Sequence, residues 1–115
     1  MKRFLIVLFA AFSISAFAAE TTVKGYLVDL SCAKEEGSKP GFGAKHDKDC
    51  LQMPDCEKSG YGVLTADKKV VRFDTSGNEQ AKKFIAASKK TKDFRVNVTG
   101  DVKGDSMTVQ KIELQ

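Results

Sequence analysis

The chain has 115 residues, of which 42% are hydrophobic and 30% are charged, and its formal net charge is +4. This length supports one small domain with a modest hydrophobic core. The positive charge is mixed with 15 acidic side chains. It therefore does not predict the clustered basic surface that nucleic-acid binding requires.

The first 18 residues have the pattern of a cleavable signal peptide. Lys2 and Arg3 give a positive start, residues 4–12 are apolar, and Ala16 and Ala18 are the small side chains that a signal peptidase requires. We predict that residues 19–115 form the mature domain, located in the periplasm or secreted. The apolar run is too short for a convincing membrane span, so the protein is predicted not to span a membrane. The alternative is an uncleaved N-terminal anchor.

The first predicted strand covers residues 23–30, which are rich in β-branched and apolar side chains. Gly25 within it marks a bulge or a tight bend. Residues 31–60 then lose all periodicity and collect glycine and proline, which predicts a long connecting loop. A loop of this length in a small domain is usually functional or stapled.

Periodicity returns after residue 60. Residues 61–66 and 70–74 predict a hairpin, and Ser76-x-x-Glu79 has the spacing of a capping box that begins an amphipathic helix ending near Lys90. Residues 94–99 and 106–114 predict two further strands. The alternation of apolar and polar residues shifts within the last strand, and a bulge near Gln110 or Lys111 would explain this shift.

Five strands with one helix between the third and fourth follow the order of an OB-fold. We therefore predict a mainly β domain, a five-stranded OB-like Greek-key barrel with its long Cys/His-containing loop after strand 1. The alternative is an open antiparallel sheet with one helix packed across it.

A resemblance to known proteins rests on a skeleton that runs along the chain. Residues 25–32 read Gly-x-x-x-Asp-x-x-Cys, His46, Cys50 and Cys56 follow, and the stretches 59–64 and 96–100 complete it. The skeleton resembles that of a group of small exported bacterial proteins of uncharacterised function and, more loosely, periplasmic bacterial OB-fold proteins. This resemblance spans essentially the whole mature chain. It implies export and a barrel fold, and it implies no particular reaction.

The three cysteines and the one histidine of the chain all lie in the predicted loop, together with a methionine. Thiolate, imidazole and thioether are the donors that soft or borderline metal ions prefer. Three thiolates and one imidazole would complete a zinc site, and a thioether between two thiols suits copper(I). The predicted metal ligands are Cys32, His46, Cys50 and Cys56, with Met53 as an optional fifth donor.

A disulfide is the competing interpretation of the same cluster. Cysteines usually pair in an oxidising compartment, so Cys50 could bridge to Cys56, or either of them to Cys32, which leaves one spare thiol. Thiol redox chemistry has less support because no Cys-x-x-Cys is present. Asp29 could orient His46, but we expect it to be a turn residue that hydrogen-bonds its own backbone.

The predicted function is therefore an exported small protein that binds zinc or copper. The alternative is a disulfide-stapled OB-fold module, without metal, that binds an envelope protein, a peptide or a glycan. Tyr61, Arg72 and Phe73 lie on the strands that OB-folds use for binding, although alternation with Val71 places Phe73 inside the barrel. We do not predict an enzyme, because no catalytic motif is present and nothing in the sequence orients His46 as a base for Cys50.

Overall fold

The computed structural model describes residues 20–115, so the predicted signal peptide lies outside the described residues. Five strands form the body of the domain, and five helices lie between them. The strands are β1 (Thr21–Asp29), β2 (Tyr61–Leu64), β3 (Val70–Phe73), β4 (Arg95–Lys103) and β5 (Ser106–Leu114). The helices are α1 (Leu30–Glu36), α2 (Phe42–Lys45), α3 (Lys48–Leu51), α4 (Pro54–Ser59) and α5 (Thr75–Ala87).

The strands close into a ring in the order β1-β2-β3-β5-β4, with β4 pairing back to β1. All neighbouring pairs are antiparallel except β3 and β5, which run parallel. The prediction of a mainly β fold with five strands is confirmed. The open-sheet alternative is wrong, because the short parallel pairing of β3 with β5 joins the two edges that an open sheet would leave free.

The inside of the barrel is filled by side chains that alternate along the strands. Phe94, Val96 and Val98 are fully buried, whereas Arg95 between them is exposed. Leu27, Val63, Phe73 and Met107 come from the other strands, and α5 adds Ala81 and Ile85 to the same cluster. The helix therefore packs its apolar side against the barrel, as its spacing predicted.

Two irregularities shape the strands. Thr99 pairs with Lys111 and Gly100 pairs with Val109, so Gln110 is an extra residue and the predicted bulge is confirmed. At Gly25 the backbone of β1 comes so close to β2 that an added Cβ would lie 2.2 Å from the carbonyl oxygen of Leu64. Only glycine permits this approach, and it occurs where β1 begins to pair with β2 as well as with β4.

The start of α5 differs from its prediction. Asp74, not Ser76, is the N-cap residue, and its side chain accepts a hydrogen bond from the backbone N–H of Gly77 at 2.9 Å. The same carboxylate oxygen also accepts the N–H of Val109 at 3.2 Å, which ties the helix to β5. The helix ends at Ala87, earlier than the predicted Lys90.

The predicted loop is the largest correction to the fold. Residues 30–60, here called the helical insert, contain the four short helices α1 to α4 instead of irregular chain. Val28, Ala33, Phe42 and Leu64 form a second, smaller apolar cluster between the insert and the strands. Within residues 20–115, the helices are all too short or too polar to cross a membrane.

Candidate functional site

The two ends of the helical insert are tied together by hydrogen bonds. The backbone N–H of Leu30 donates to the carbonyl oxygen of Gly60 at 2.9 Å, and the N–H of Ser31 donates to Ser59 Oγ at 3.1 Å. The same hydroxyl donates to the carbonyl oxygen of Cys56 at 2.7 Å. These bonds hold the first turn of α1 beside α4, so Cys32 and Cys56 become neighbours although 23 residues separate them in the sequence.

Asp29 lies at the centre of the site. It is the last residue of β1 and is fully buried, and it is also the N-cap of α1, where Oδ2 accepts the backbone N–H of Cys32 at 2.9 Å. Its other oxygen, Oδ1, lies 2.6 Å from Nε2 of His46. Burial by itself raises the pKa of Asp29, but the hydrogen bonds from His46 and Cys32 outweigh burial and hold the pKa below its ordinary value. The carboxylate is thus kept charged inside the protein.

Two thiols stand beside this carboxylate. The thiols of Cys32 and Cys56 lie 4.0 Å apart. A carboxylate oxygen of Asp29 and the two sulfurs all lie within 4.8 Å of one another, and we call these residues the three-donor group. Cys56 is 6% exposed and Cys32 is half-buried.

Both thiols of the three-donor group resist ionisation. Burial, and next the negative charge of Asp29, raise the pKa of Cys32 to about 12. The same two causes, in the same order, raise the pKa of Cys56. At neutral pH both side chains therefore carry protons, and a bound cation would have to replace those protons.

His46 is connected to the site by its hydrogen bond with Asp29. It ends α2, its side chain is buried, and its ring packs on that of Phe42 with 4.8 Å between the ring centroids. Although charged residues, Lys45 and Asp47, flank it in the sequence, His46 is only 7% exposed. In the structure its Nε2 is paired with Asp29, and His46 is not part of the three-donor group.

Cys50 is placed next to the site and outside the three-donor group. Asp47 caps α3 by accepting the backbone N–H of Cys50 at 2.8 Å, and a hydrogen bond from the Cys50 thiol to Asp47 is the largest of the causes that raise the pKa of this thiol to about 11. Cys50 and His46 share the lining of a surface cavity of about 300 Å³ with Phe42 and Lys45. Cys50 thus faces a solvent-accessible cavity.

The last predicted donor, Met53, is the N-cap residue of α4 and is 52% exposed. The side chains on the strands that OB-folds use for binding are mostly buried. Tyr61 and Phe73 are buried, and the Tyr61 hydroxyl donates to the carbonyl oxygen of Leu51 at 2.7 Å, so of these residues only Arg72 is exposed.

Asp29 is the site residue that sequence reasoning undervalued. The expectation of a turn residue that bonds its own backbone describes one of its two oxygens, and the contact with His46 uses the other. The signal available in the sequence was an aspartate three residues before Cys32 at the end of an apolar strand. The identity of its second partner depends on the path of the helical insert, which the sequence pattern does not reveal.

The three thiols lack the lowered pKa that activates a catalytic cysteine. The pKa of each of them is raised. All three are free thiols in the structure, so the disulfide interpretation stays a prediction.

No family model matches the chain, and no curated protein or solved structure matches it either.

Proposed function

We propose that this protein binds a soft or borderline metal ion, zinc in the first place, through Asp29, Cys32 and Cys56. The observation that carries the proposal is the convergence of one carboxylate and two thiols within 4.8 Å in a mostly buried position. Thiolate and carboxylate are both established zinc ligands, and three protein ligands with one further position is a common zinc arrangement.

The charges of the group support a cation. Asp29 is held ionised, and burial together with its negative charge raises the pKa of both neighbouring thiols. Three negative charges cannot share a buried site without compensation. A divalent cation supplies that compensation and allows the thiols to lose their protons.

The donor set favours zinc over copper(I). Asp29 contributes a hard oxygen donor, which zinc accepts readily and copper(I) does not. The thioether that suggested copper belongs to Met53, whose side chain is exposed, whereas the three-donor group is mostly buried. His46 then has a supporting role, since an imidazole hydrogen-bonded to a ligating carboxylate fixes the orientation of that ligand.

We also propose that the barrel is an OB-fold and that the protein acts after export, in the periplasm or outside the cell. The ring order, the parallel pairing of β3 with β5 and the helix between β3 and β4 support the fold assignment. The helical insert would then be an elaboration of the connection between the first two strands. The small exported bacterial proteins that the sequence resembles are the proposed relatives.

Metal analysis of the purified protein tests this function. The chain is produced with its own leader, isolated without chelator, and analysed by elemental mass spectrometry together with a titration of zinc against a chromogenic chelator. We expect about one zinc per chain, lost in Cys32→Ser and Cys56→Ser.

Cys50→Ser is the matched control, because Cys50 is a thiol of the same insert that lies outside the three-donor group. It should retain zinc. Absence of zinc from the wild-type protein, with no binding in the titration, would contradict the proposal. It would favour the disulfide-stapled module, whose ligand would be an envelope protein or a glycan.

A further inference from the structure

The geometry of the two thiols points to a second state of the site. We infer that Cys32 and Cys56 form a disulfide when the protein meets a disulfide oxidant, and that this bond and the metal ion exclude each other. The pairing of these two cysteines stands on geometry alone, whereas the exclusion of the metal rests on the proposed function.

The distance between the thiols fits this inference. They lie 4.0 Å apart, and a disulfide requires a separation of about 2 Å. Hydrogen bonds from Leu30 to Gly60 and from Ser31 to Ser59 already join the start of α1 to the end of α4. Side-chain rotation on two helices that are already packed together can therefore close most of the gap.

Cys50 is the thiol that this pairing leaves out. Its backbone N–H and its thiol both donate hydrogen bonds to Asp47. Its side chain lines the surface cavity that His46 also lines. The sequence alone allowed any two of the three cysteines to pair, and the 4.0 Å separation of their thiols favours Cys32 with Cys56.

The chemistry is thiol–disulfide exchange with a small disulfide such as oxidised glutathione. The half-buried Cys32 is reached first, so its sulfur attacks the oxidant, loses its proton and releases one molecule of thiol. The sulfur of Cys56 then attacks Cys32, loses its proton and releases the second thiol. Two protein thiols are oxidised and one small disulfide is reduced to two thiols.

The same reaction removes two metal ligands. Once the sulfurs are bonded to each other they no longer carry negative charge, and Asp29 alone remains of the three donors. When zinc is bound, the two released thiols take up protons from solution and the zinc ion leaves.

The test uses the full chain, reduced and incubated with zinc, then treated with oxidised glutathione. Peptide mapping by mass spectrometry identifies the bridge, and a chromogenic chelator follows zinc release. We expect a Cys32–Cys56 bridge in the wild type and in Cys50→Ser, and zinc release that follows bridge formation with the same time course. Cys32→Ser should form no intramolecular bridge.

The outcomes separate the two proposals. A bridge that contains Cys50, or no intramolecular bridge, overturns the inferred pairing while leaving zinc binding to be judged by its own titration. A Cys32–Cys56 bridge in a protein that never bound zinc supports the pairing and overturns both the exclusion and the proposed function. A bridge that forms while zinc stays bound overturns the exclusion alone. The wild-type map gives this answer even if Cys32→Ser fails to fold.

Discussion

The barrel and the helical insert are held together in different ways. The barrel has a closed ring of backbone hydrogen bonds around a core of buried side chains from all five strands and α5. The insert consists of four helices of four to seven residues. Isolated helices of this length are not stable in water, so the insert depends on its contacts with the barrel.

Those contacts are both apolar and polar. Ala33 and Phe42 pack with side chains of β1 and β2, and Leu51 lies in the barrel core. Asp29 at the end of β1 caps α1, and the Tyr61 hydroxyl donates to the carbonyl oxygen of Leu51. The candidate site lies in this part of the molecule. The site residues therefore stabilise the insert as well as forming the site, so each substitution there needs a stability measurement beside the binding measurement.

The barrel should lose the most stability from a cavity in its core. Phe94 is 0% exposed, and Phe94→Ala should lower the free energy of unfolding by about 3–5 kcal/mol, since it removes a fully buried aromatic side chain. Urea unfolding followed by circular dichroism measures this loss. Leu114→Ala, at a position of β5 that is 43% exposed, is the control and should change the value by less than about 0.5 kcal/mol. Equal losses in the two variants would argue against the described core.

The insert should respond most to Asp29→Asn. This change removes the charge that faces His46 and weakens the cap of α1, so we expect a loss of about 1–3 kcal/mol and weaker zinc binding. Hydrogen exchange should rise mainly in residues 30–60. Asp74→Asn is the matched control, because Asp74 caps α5 on the barrel, and its effect should stay near α5 and β5. Increased exchange throughout the barrel in Asp29→Asn would mean that the two regions unfold together.

Acid should weaken the protein through the same carboxylate. The pKa of Asp29 in the folded protein lies below the ordinary 3.8, so the unfolded chain takes up this proton at a higher pH than the folded one. The contribution of Asp29 to the free energy of unfolding has its full size above about pH 4. It is lost as the pH falls through the lower pKa that Asp29 has in the folded protein. Unfolding free energies of the wild type and Asp29→Asn should therefore converge in acid. A difference between them that is unchanged down to about pH 2 would contradict this prediction.

The smallest effect is expected at Met53. Met53→Leu keeps the size of an exposed side chain and removes its sulfur, so stability should change by less than about 0.5 kcal/mol and zinc affinity should not change. Titration with the chromogenic chelator measures the affinity. A clear loss of affinity would return Met53 to the ligand set.

The barrel was largely predictable because its strands alternate apolar and polar residues in their own sequence. Alternation marked Phe94, Val96 and Val98 as interior, and the phase slip near Gln110 located the bulge. The sequence of the insert has no such pattern, since helices of four to seven residues are too short to show a repeating apolar spacing. Their positions are fixed by contacts with distant residues. For the same reason the cluster of donors was predictable from composition, whereas the exclusion of Cys50 from the three-donor group and the pairing of Asp29 with His46 were not.

The position of Tyr61 offers a spectroscopic probe of the site. The chain contains no tryptophan and only two tyrosines. Tyr61 pairs with Asp29 across β1 and β2, and its hydroxyl is bonded to the helix that contains Cys50, whereas Tyr26 stacks with Arg95 on the barrel surface. In a Tyr26→Phe variant the tyrosine fluorescence comes from Tyr61 alone. Binding or oxidation at the site can then be followed in solution without attaching a dye.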